Sequence, residues 1–155
     1  MAGIRVQQDD FDAGAELAAL SAGRTDVGGL GCFIGTVRRD PAAQLVSLTL
    51  EHYPGMTERA MQAVAAQAHA RFPLLGCTLI HRVGRLLPGD NIVLVATASA
   101  HRQAALDATA FLIDWLKTAA PFWKKESFAD GTDLWVEARA ADDRAAAAWA
   151  ARPHG

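Results

Sequence analysis

Lysine is rare in this chain and concentrated: Lys117, Lys124 and Lys125 are its only three lysines, they fall within nine residues, and twelve arginines carry the other basic charges. A guanidinium stays protonated in proteins, whereas a desolvated amine or one crowded by cations gives up its proton. Lys117, on the last turn of an expected helix with Phe122 and Trp123 nearby, suits a general acid, base or nucleophile. A solvated cationic patch at a helix C-terminus explains the same spacing. On an extended segment side chains alternate, so Lys124 and Glu126 share one face and Lys125 takes the other. Lys124, oriented by Glu126, is then the second candidate for proton transfer, against the alternative of an ordinary charged strand face.

Two further segments could bind an anion. Ser99-Ala100-His101-Arg102 opens the same helix, where free backbone N–H groups and two basic side chains suit a phosphate; pairing with Asp107 or plain exposure is the alternative. Phe33-Ile34-Gly35-Thr36-Val37-Arg38-Arg39 ends a glycine-bearing strand, and Arg38 could present a planar fork to phosphate or carboxylate beside Gly35. Glu51-His52-Tyr53-Pro54-Gly55-Met56 reads as a structural corner, since adjacent strand residues point to opposite faces and cannot form an acid–base pair. His101 and Lys117 would lie about 24 Å apart along a continuous helix at 1.5 Å per residue, too far to share one small ligand within a subunit. A composite site requires the helix to pack against its copy in a dimer, bringing His101 and Arg102 of one chain to Lys117 of the other.

The elements that position these groups follow from periodicity and punctuation. Strands are expected over Ile4–Gln7, Gly29–Val37, Leu45–Glu51, Cys77–Val83 and Asn91–Ser99, the last two joined by a hairpin-like turn at Leu87-Pro88-Gly89-Asp90. A helix over Asp12–Leu20 precedes two main ones. The first spans Thr57–Phe72, with Ala60, Met61, Val64, Ala68 and Phe72 on one face and Pro73 as its stop. The second spans Arg102–Ala119, where Lys117 continues an apolar stripe of Leu106, Ala110 and Ile113. Phe122–Phe128 and Leu134–Arg139 read as a hairpin around Ala129-Asp130-Gly131, and Asp142 or Asp143 as the cap of an Ala-rich helix carrying Trp149. Arg152–Gly155 should fray. The architecture is α+β, with two main helices packed on mostly antiparallel strands.

Composition bounds the rest. With 155 residues, 51% of them hydrophobic and 21% charged, the expectation is one folded domain over residues 1–155. A net charge of −2 gives no general attraction to nucleic acid or an anionic membrane. The apolar run Ile92–Ala100 is about half of the roughly 18 residues a spanning helix needs, and the first residues lack a leader pattern, so a cytoplasmic protein is expected. Cys32 and Cys77 have no metal-ligand or redox spacing and read as two buried small apolar side chains.

The strings F-I-G-T-V-R, L-E-H-Y-P-G-M-T-E, H-R-V-G-R-L-L-P-G-D, S-A-H-R and L-K-T-A-A-P-F-W-K-K-E occur in this order between Gly29 and Arg139. Together they resemble the large, catalytic subunit of molybdopterin synthase. The resemblance implies an α/β hammerhead fold with an additional antiparallel sheet, and a homodimer flanked by two ubiquitin-like sulfur-carrier subunits in a heterotetramer. It implies the conversion of cyclic pyranopterin monophosphate (precursor Z) to molybdopterin by insertion of two dithiolene sulfurs. These arrive as a C-terminal Gly-Gly thiocarboxylate on the carrier, and no metal or organic cofactor is needed for the step. By the same resemblance Lys117 and Lys124 are catalytic, and Arg38, His101 and Arg102 bind substrate. Thr36, Val37, Lys125 and Glu126 flank them in the pocket segments, and Arg139, in W-V-E-A-R, matches an arginine near the pterin phosphate. Three other readings use the same residues differently: a non-catalytic docking protein for a ubiquitin-like carrier, a cysteine persulfide sulfurtransferase, and a Schiff-base lyase acting through Lys117.

Overall fold

The computed structural model describes residues 2–39, 41–42, 44–136 and 140–151. In chain order these form β1 (Ala2–Gln7), α1 (Ala13–Ser21), β2 (Gly29–Thr36), β3 (Leu45–His52), α2 (Met56–Arg71), β4 (Leu74–Arg82), β5 (Gly84–Leu86), β6 (Asn91–Ser99), α3 (Arg102–Thr118), β7 (Phe122–Phe128), β8 (Asp133–Val136) and α4 (Ala140–Ala151). One four-stranded sheet has the order β1-β4-β6-β2 and a second has β5-β3-β7-β8. β1 pairs with β4 in parallel and the other pairings are antiparallel. The α+β expectation therefore holds, with element ends within three residues of those read from the sequence. No helix among the described residues is long and apolar enough to cross a membrane.

The first sheet is covered on both faces, which is why β4 and β6 are almost continuously buried rather than alternating. Cys77, Leu79, Val93 and Val95 look toward α2 and α3 and join Met61, Val64, Ala68, Ala108 and Leu112 in the main core. Ile80, Leu94 and Ala96 point the other way and pack with Phe11 against Ala13, Leu17 and Leu20 at α1. Asp12 starts α1 by accepting from the Ala15 N–H at 3.0 Å. In α2 the inward face is Thr57, Met61, Val64, Ala65 and Ala68. Arg71 closes it, buried beneath the rings of Phe72, Phe111 and Trp149 and donating to the Trp149 carbonyl at 2.6 Å. Trp149 also donates its indole N–H to Asp114 at 2.6 Å, so α4 is docked through one aromatic residue with both polar needs met.

Several expectations are corrected. β4 and β6 are antiparallel neighbours, but they are not a simple hairpin. Gly84–Leu86 leaves the first sheet and pairs with Leu48–Leu50 in the second, a strand too short to give a periodic signal. The buried residues of α3 are Ala105, Ala108, Thr109, Phe111, Leu112 and Leu116, while Leu106 is 57% exposed and Ala110 and Lys117 are exposed with it. Two neighbouring stripes of α3 are apolar, and the one that carries Ala105, Ala108 and Leu112 is the one turned to the core. Cys77 is fully buried as expected, but Cys32 is exposed, because it alternates out from the face that carries Gly31. α4 begins at Ala140, so Asp142 and Asp143 lie in its first turn rather than at its cap. Arg152–Gly155 lie outside the described residues.

Gly31 shows why α3 can lie so close. Thr97 and Thr109 both donate to the Ala105 carbonyl at 2.8 Å beneath the strand. A Cβ at Gly31 would stand 2.5 Å from the Thr109 hydroxyl, 2.6 Å from the Ala105 carbonyl oxygen and 2.7 Å from the Thr97 hydroxyl. Gly31→Ala should therefore destabilise the fold by about 1–3 kcal/mol, the usual range for overpacking. Chemical denaturation measures this directly, and an unchanged midpoint would show that α3 is not held at that distance.

Candidate active site

The two ends of α3 make two separate clusters. At its start His101 is the extended N-cap residue, with no side-chain capping hydrogen bond, and the first turn holds no acidic residue. Asp107 accepts from Gln103 at 2.9 Å, so the carboxylate nearest in sequence is engaged away from His101 and Arg102. An open hollow of ≈ 540 Å³ is lined here by Gly28, Ala100, His101, Arg102 and Gln103. Free helix N–H groups, two basic side chains and space for a small molecule form the expected setting for a phosphate.

At the other end α3 stops abruptly and β7 begins within four residues. The Ala119 N–H caps onto the Trp115 carbonyl at 2.8 Å, and the Phe122 N–H closes a tight turn onto the Ala120 carbonyl at 2.8 Å. Thr57 pins the corner by donating to the Pro121 carbonyl at 3.0 Å while accepting from the Tyr53 N–H at 3.1 Å. Lys117 and Lys124 are thus carried on two elements that diverge from one fixed point. On β7, Phe122, Lys124 and Glu126 share a face by alternation, and Lys124 sits opposite Leu50 and Val136. Lys125 takes the other face, its Nζ 6.0 Å from the ring centre of Trp135, its register partner on β8.

The floor of this corner is His81, which opens the string H-R-V-G-R-L-L-P-G-D but has no role assigned from the sequence. Only 6% exposed at the end of β4, its ring stacks on Phe122 at 3.8 Å between centroids and 19° between planes. The His52 ring lies 6.5 Å from the same phenyl ring, centroid to centroid. The Nδ1 of His81 lies 2.8 Å from the Arg82 carbonyl, which only accepts, so Nδ1 carries the proton and Nε2 the lone pair. Burial pushes the His81 imidazole down to about 4. The carbonyl opposes that shift, and the charges of Lys124, Lys117 and His52 add to it. Both lysines and His52 thus act electrostatically on the His81 ring. The place of His81 at the head of H-R-V-G-R-L-L-P-G-D marks the residue but not its surroundings, which only its stacking partner and its charged neighbours reveal.

Arg38 approaches the same end of the molecule. β2 runs antiparallel to β6, so Gly35 and His81 flank Val93 from its two sides, and Arg38 follows, exposed, beyond the sheet. Thr36 is exposed too. Val37 is different: its side chain is in the core, and its backbone N–H and carbonyl are taken by Asp90 and Gly89 at 2.9 and 2.7 Å. What it supplies is the anchored backbone on which Thr36 and Arg38 project. Arg139 lies outside the described residues. At the Glu51–His52 corner the two side chains do point to opposite faces. His52 stands 3.6 Å from Glu58, whose other oxygen accepts from the Gly55 N–H at 3.0 Å and so holds the start of α2.

The cysteines offer no thiolate. Burial pushes the Cys77 thiol up to about 11, and Cys32, although exposed, is also raised by desolvation. A persulfide carrier needs the opposite setting, an accessible thiol lowered by cations. Among the described residues no group of three or more His, Cys, Asp and Glu could hold a metal ion.

The neutral His81 has a consequence for stability. Unfolded, it titrates near 6.5, so below that pH the unfolded chain takes up a proton that the folded one refuses until about pH 4. Folding stability should therefore be full above pH 6.5 and fall as pH drops through that window, by about 3 kcal/mol for this group alone. Urea unfolding of the protein and of His81→Phe at pH 7 and pH 4 tests this. The substitution should remove most of that difference, and equal pH dependence in both proteins would contradict a neutral buried imidazole.

Comparison with known proteins gives a consistent family. Residues 6–119 match the model of the MoaE protein family. The molybdopterin synthase catalytic subunit of Mesorhizobium japonicum is 54% identical over 147 residues, covering 94% of this chain and 92% of that protein. Among solved structures, the molybdopterin biosynthesis MoaE protein from Burkholderia ambifaria superposes with a TM-score of 0.81 at 52% identity, over 97% of this chain and 99% of that one. Molybdopterin synthase from Staphylococcus aureus gives a TM-score of 0.78 at 25% identity, over 85% and 95%. With a lysine-bearing corner and a basic helix start on the same scaffold, the chain belongs to the MoaE family, whose curated relatives are catalytic subunits of molybdopterin synthase.

Proposed function

We propose that the protein is the sulfur-inserting subunit of a cytoplasmic molybdopterin synthase. It takes sulfur from the C-terminal thiocarboxylate of a ubiquitin-like small subunit and installs two dithiolene sulfurs in cyclic pyranopterin monophosphate. The observation that carries this reading is the convergence of Lys117 and Lys124 on one corner of the fold, both within electrostatic reach of buried His81. Crowded amines suit this chemistry twice over, since the incoming thiocarboxylate is an anion and protons must move as C–O bonds break and C–S bonds form. Lys117, exposed at the end of α3, meets the carrier terminus, and Lys124 transfers protons with Glu126 on its face. Arg38, with Thr36 beside it, and Lys125 complete the walls.

The phosphate of the substrate belongs to His101 and Arg102, and these are supplied by a second copy of the chain. Arg102 and Lys117 begin and end the helix, about 22 Å apart at 1.5 Å per residue, so one subunit cannot offer both to a small molecule. The exposed Leu106 and Ala110, with half-buried Ile113 beside them, run as a stripe along α3 between the two basic ends. Antiparallel pairing of that stripe with its copy would cover apolar surface and superpose the start of one helix on the end of the other, giving two equivalent composite sites.

Both parts are tested with thiocarboxylated carrier and pterin substrate, following the dithiolene product by mass spectrometry. Lys117→Ala and Lys124→Ala should each lower product formation by about a hundredfold or more, the range for losing a proton-transfer group. Wild-type rates in both would leave a protein that only docks the carrier. Co-expressing Arg102→Ala with Lys117→Ala chains should restore activity to about a quarter of the wild-type sites, because half the dimers are mixed and each mixed dimer holds one intact site. No recovery from mixed dimers would place both halves of the site in one subunit.

A further inference from the structure

We propose that His81 is a positioning residue of this site: its Nε2 accepts a hydrogen bond from the Lys124 ammonium group and holds that side chain at the reacting centre. The inference deepens the reading of Lys124 as the proton-transfer group and rests on it. Three observations carry it. First, the tautomer is fixed by the fold, because the Arg82 carbonyl 2.8 Å from Nδ1 can only accept, which leaves Nε2 as the free acceptor. Second, the ring cannot turn away. It is 6% exposed and stacked on Phe122, two residues before Lys124 on the same face of β7.

Third, the lysine charges that act on the ring are of one sign, while its neighbours in the sheet, Val6 of β1 and Val93 of β6, are apolar. Lys124 of β7 and Lys117 of α3 face it, with His52 of β3 as a third titratable neighbour. The guanidinium of Arg82, on the same strand, is turned to the carbonyls of Gln8 and Asn91. A lone pair set among ammonium groups is filled by one of their N–H donors, and a lysine has three to give. The imidazole also stays neutral over the working pH range, since both burial and the lysines oppose a further positive charge there. His81 thus serves as a constant acceptor that does not compete for the transferred proton. It fixes where the amine stands while leaving the amine's other donors to the substrate.

Two variants separate this role from simple packing. Phenylalanine keeps the aromatic stack on Phe122 and removes the acceptor, whereas glutamine gives up the stack and returns a polar oxygen near the position of Nε2. His81→Phe should lower kcat by about tenfold to a hundredfold, as loss of an outer partner of a reacting group does, with carrier binding unchanged. Its pH–rate profile should also shift at the limb that belongs to the lysine. His81→Gln should recover part of the rate. A merely structural ring predicts the reverse order, with phenylalanine the better replacement, and that order would overturn the proposal. In a Lys124→Ala background the two variants should no longer differ in rate. If they still do, His81 does not act through Lys124. A Lys124→Ala protein with full activity would instead remove the parent reading. The wild-type protein supplies a check independent of any variant. The 15N shifts of the His81 ring should report a proton on Nδ1 and none on Nε2 from pH 6 to 8, and the opposite tautomer would overturn the proposal.

Discussion

The fold turns on one corner. α3 ends, Pro121 offers its carbonyl to Thr57, and Phe122 drops its ring onto His81, joining the second sheet to the first at the point where the lysines diverge. If that stack slipped, Lys124 would move with β7 while Lys117 stayed with α3. The pair exists only because a helix packed on one sheet is continuous with a strand of the other. Much of the surrounding core serves this junction. Ala105, Ala108 and Gly31 let α3 lie against the first sheet, and Leu50 of β3 stands opposite Lys124 in the second.

The same helix sets the limit on what one chain can do. Its start carries His101 and Arg102, proposed for the phosphate, and its end Lys117, proposed for the chemistry, and its length keeps them apart. Evolution has several ways to bring distant groups to one ligand, and a two-fold axis across the helix is the most economical, because one sequence supplies both halves. The outward surface that the folded chain leaves exposed at Leu106 and Ala110 is then the surface that such an axis would cover. Packing of the core alone does not explain why Leu106 stands 57% exposed on a helix whose other face already buries Phe111, Leu112 and Leu116.

Much of this was legible in the residues themselves. Strand alternation put Lys124 and Glu126 together and Lys125 opposite, and β7 shows that arrangement with Trp135 facing Lys125. The helix bounds placed His101 and Lys117 at opposite ends. The failures have physical causes. In an alanine-rich helix two adjacent stripes are apolar, so periodicity could not tell the buried Ala105–Leu112 face from the one that exposes Leu106 and Ala110. Cys32 was expected inside on average behaviour, but register decides the matter, and register is not visible in one strand alone. β5 is three residues long and is defined by its partner. His81 needed the tertiary fold, because its meaning lies in Phe122 and in two lysines more than thirty residues away.

The central claim is that the site is shared between two copies of the chain, with the phosphate held by the helix start of one and the chemistry done at the helix end of the other. A crystal structure of the complex with cyclic pyranopterin monophosphate tests it most directly. The account predicts the phosphate on His101 and Arg102 of one subunit and the pterin carbons beside Lys117 and Lys124 of its partner. A substrate bound wholly within one subunit, with the other copy distant, would contradict it.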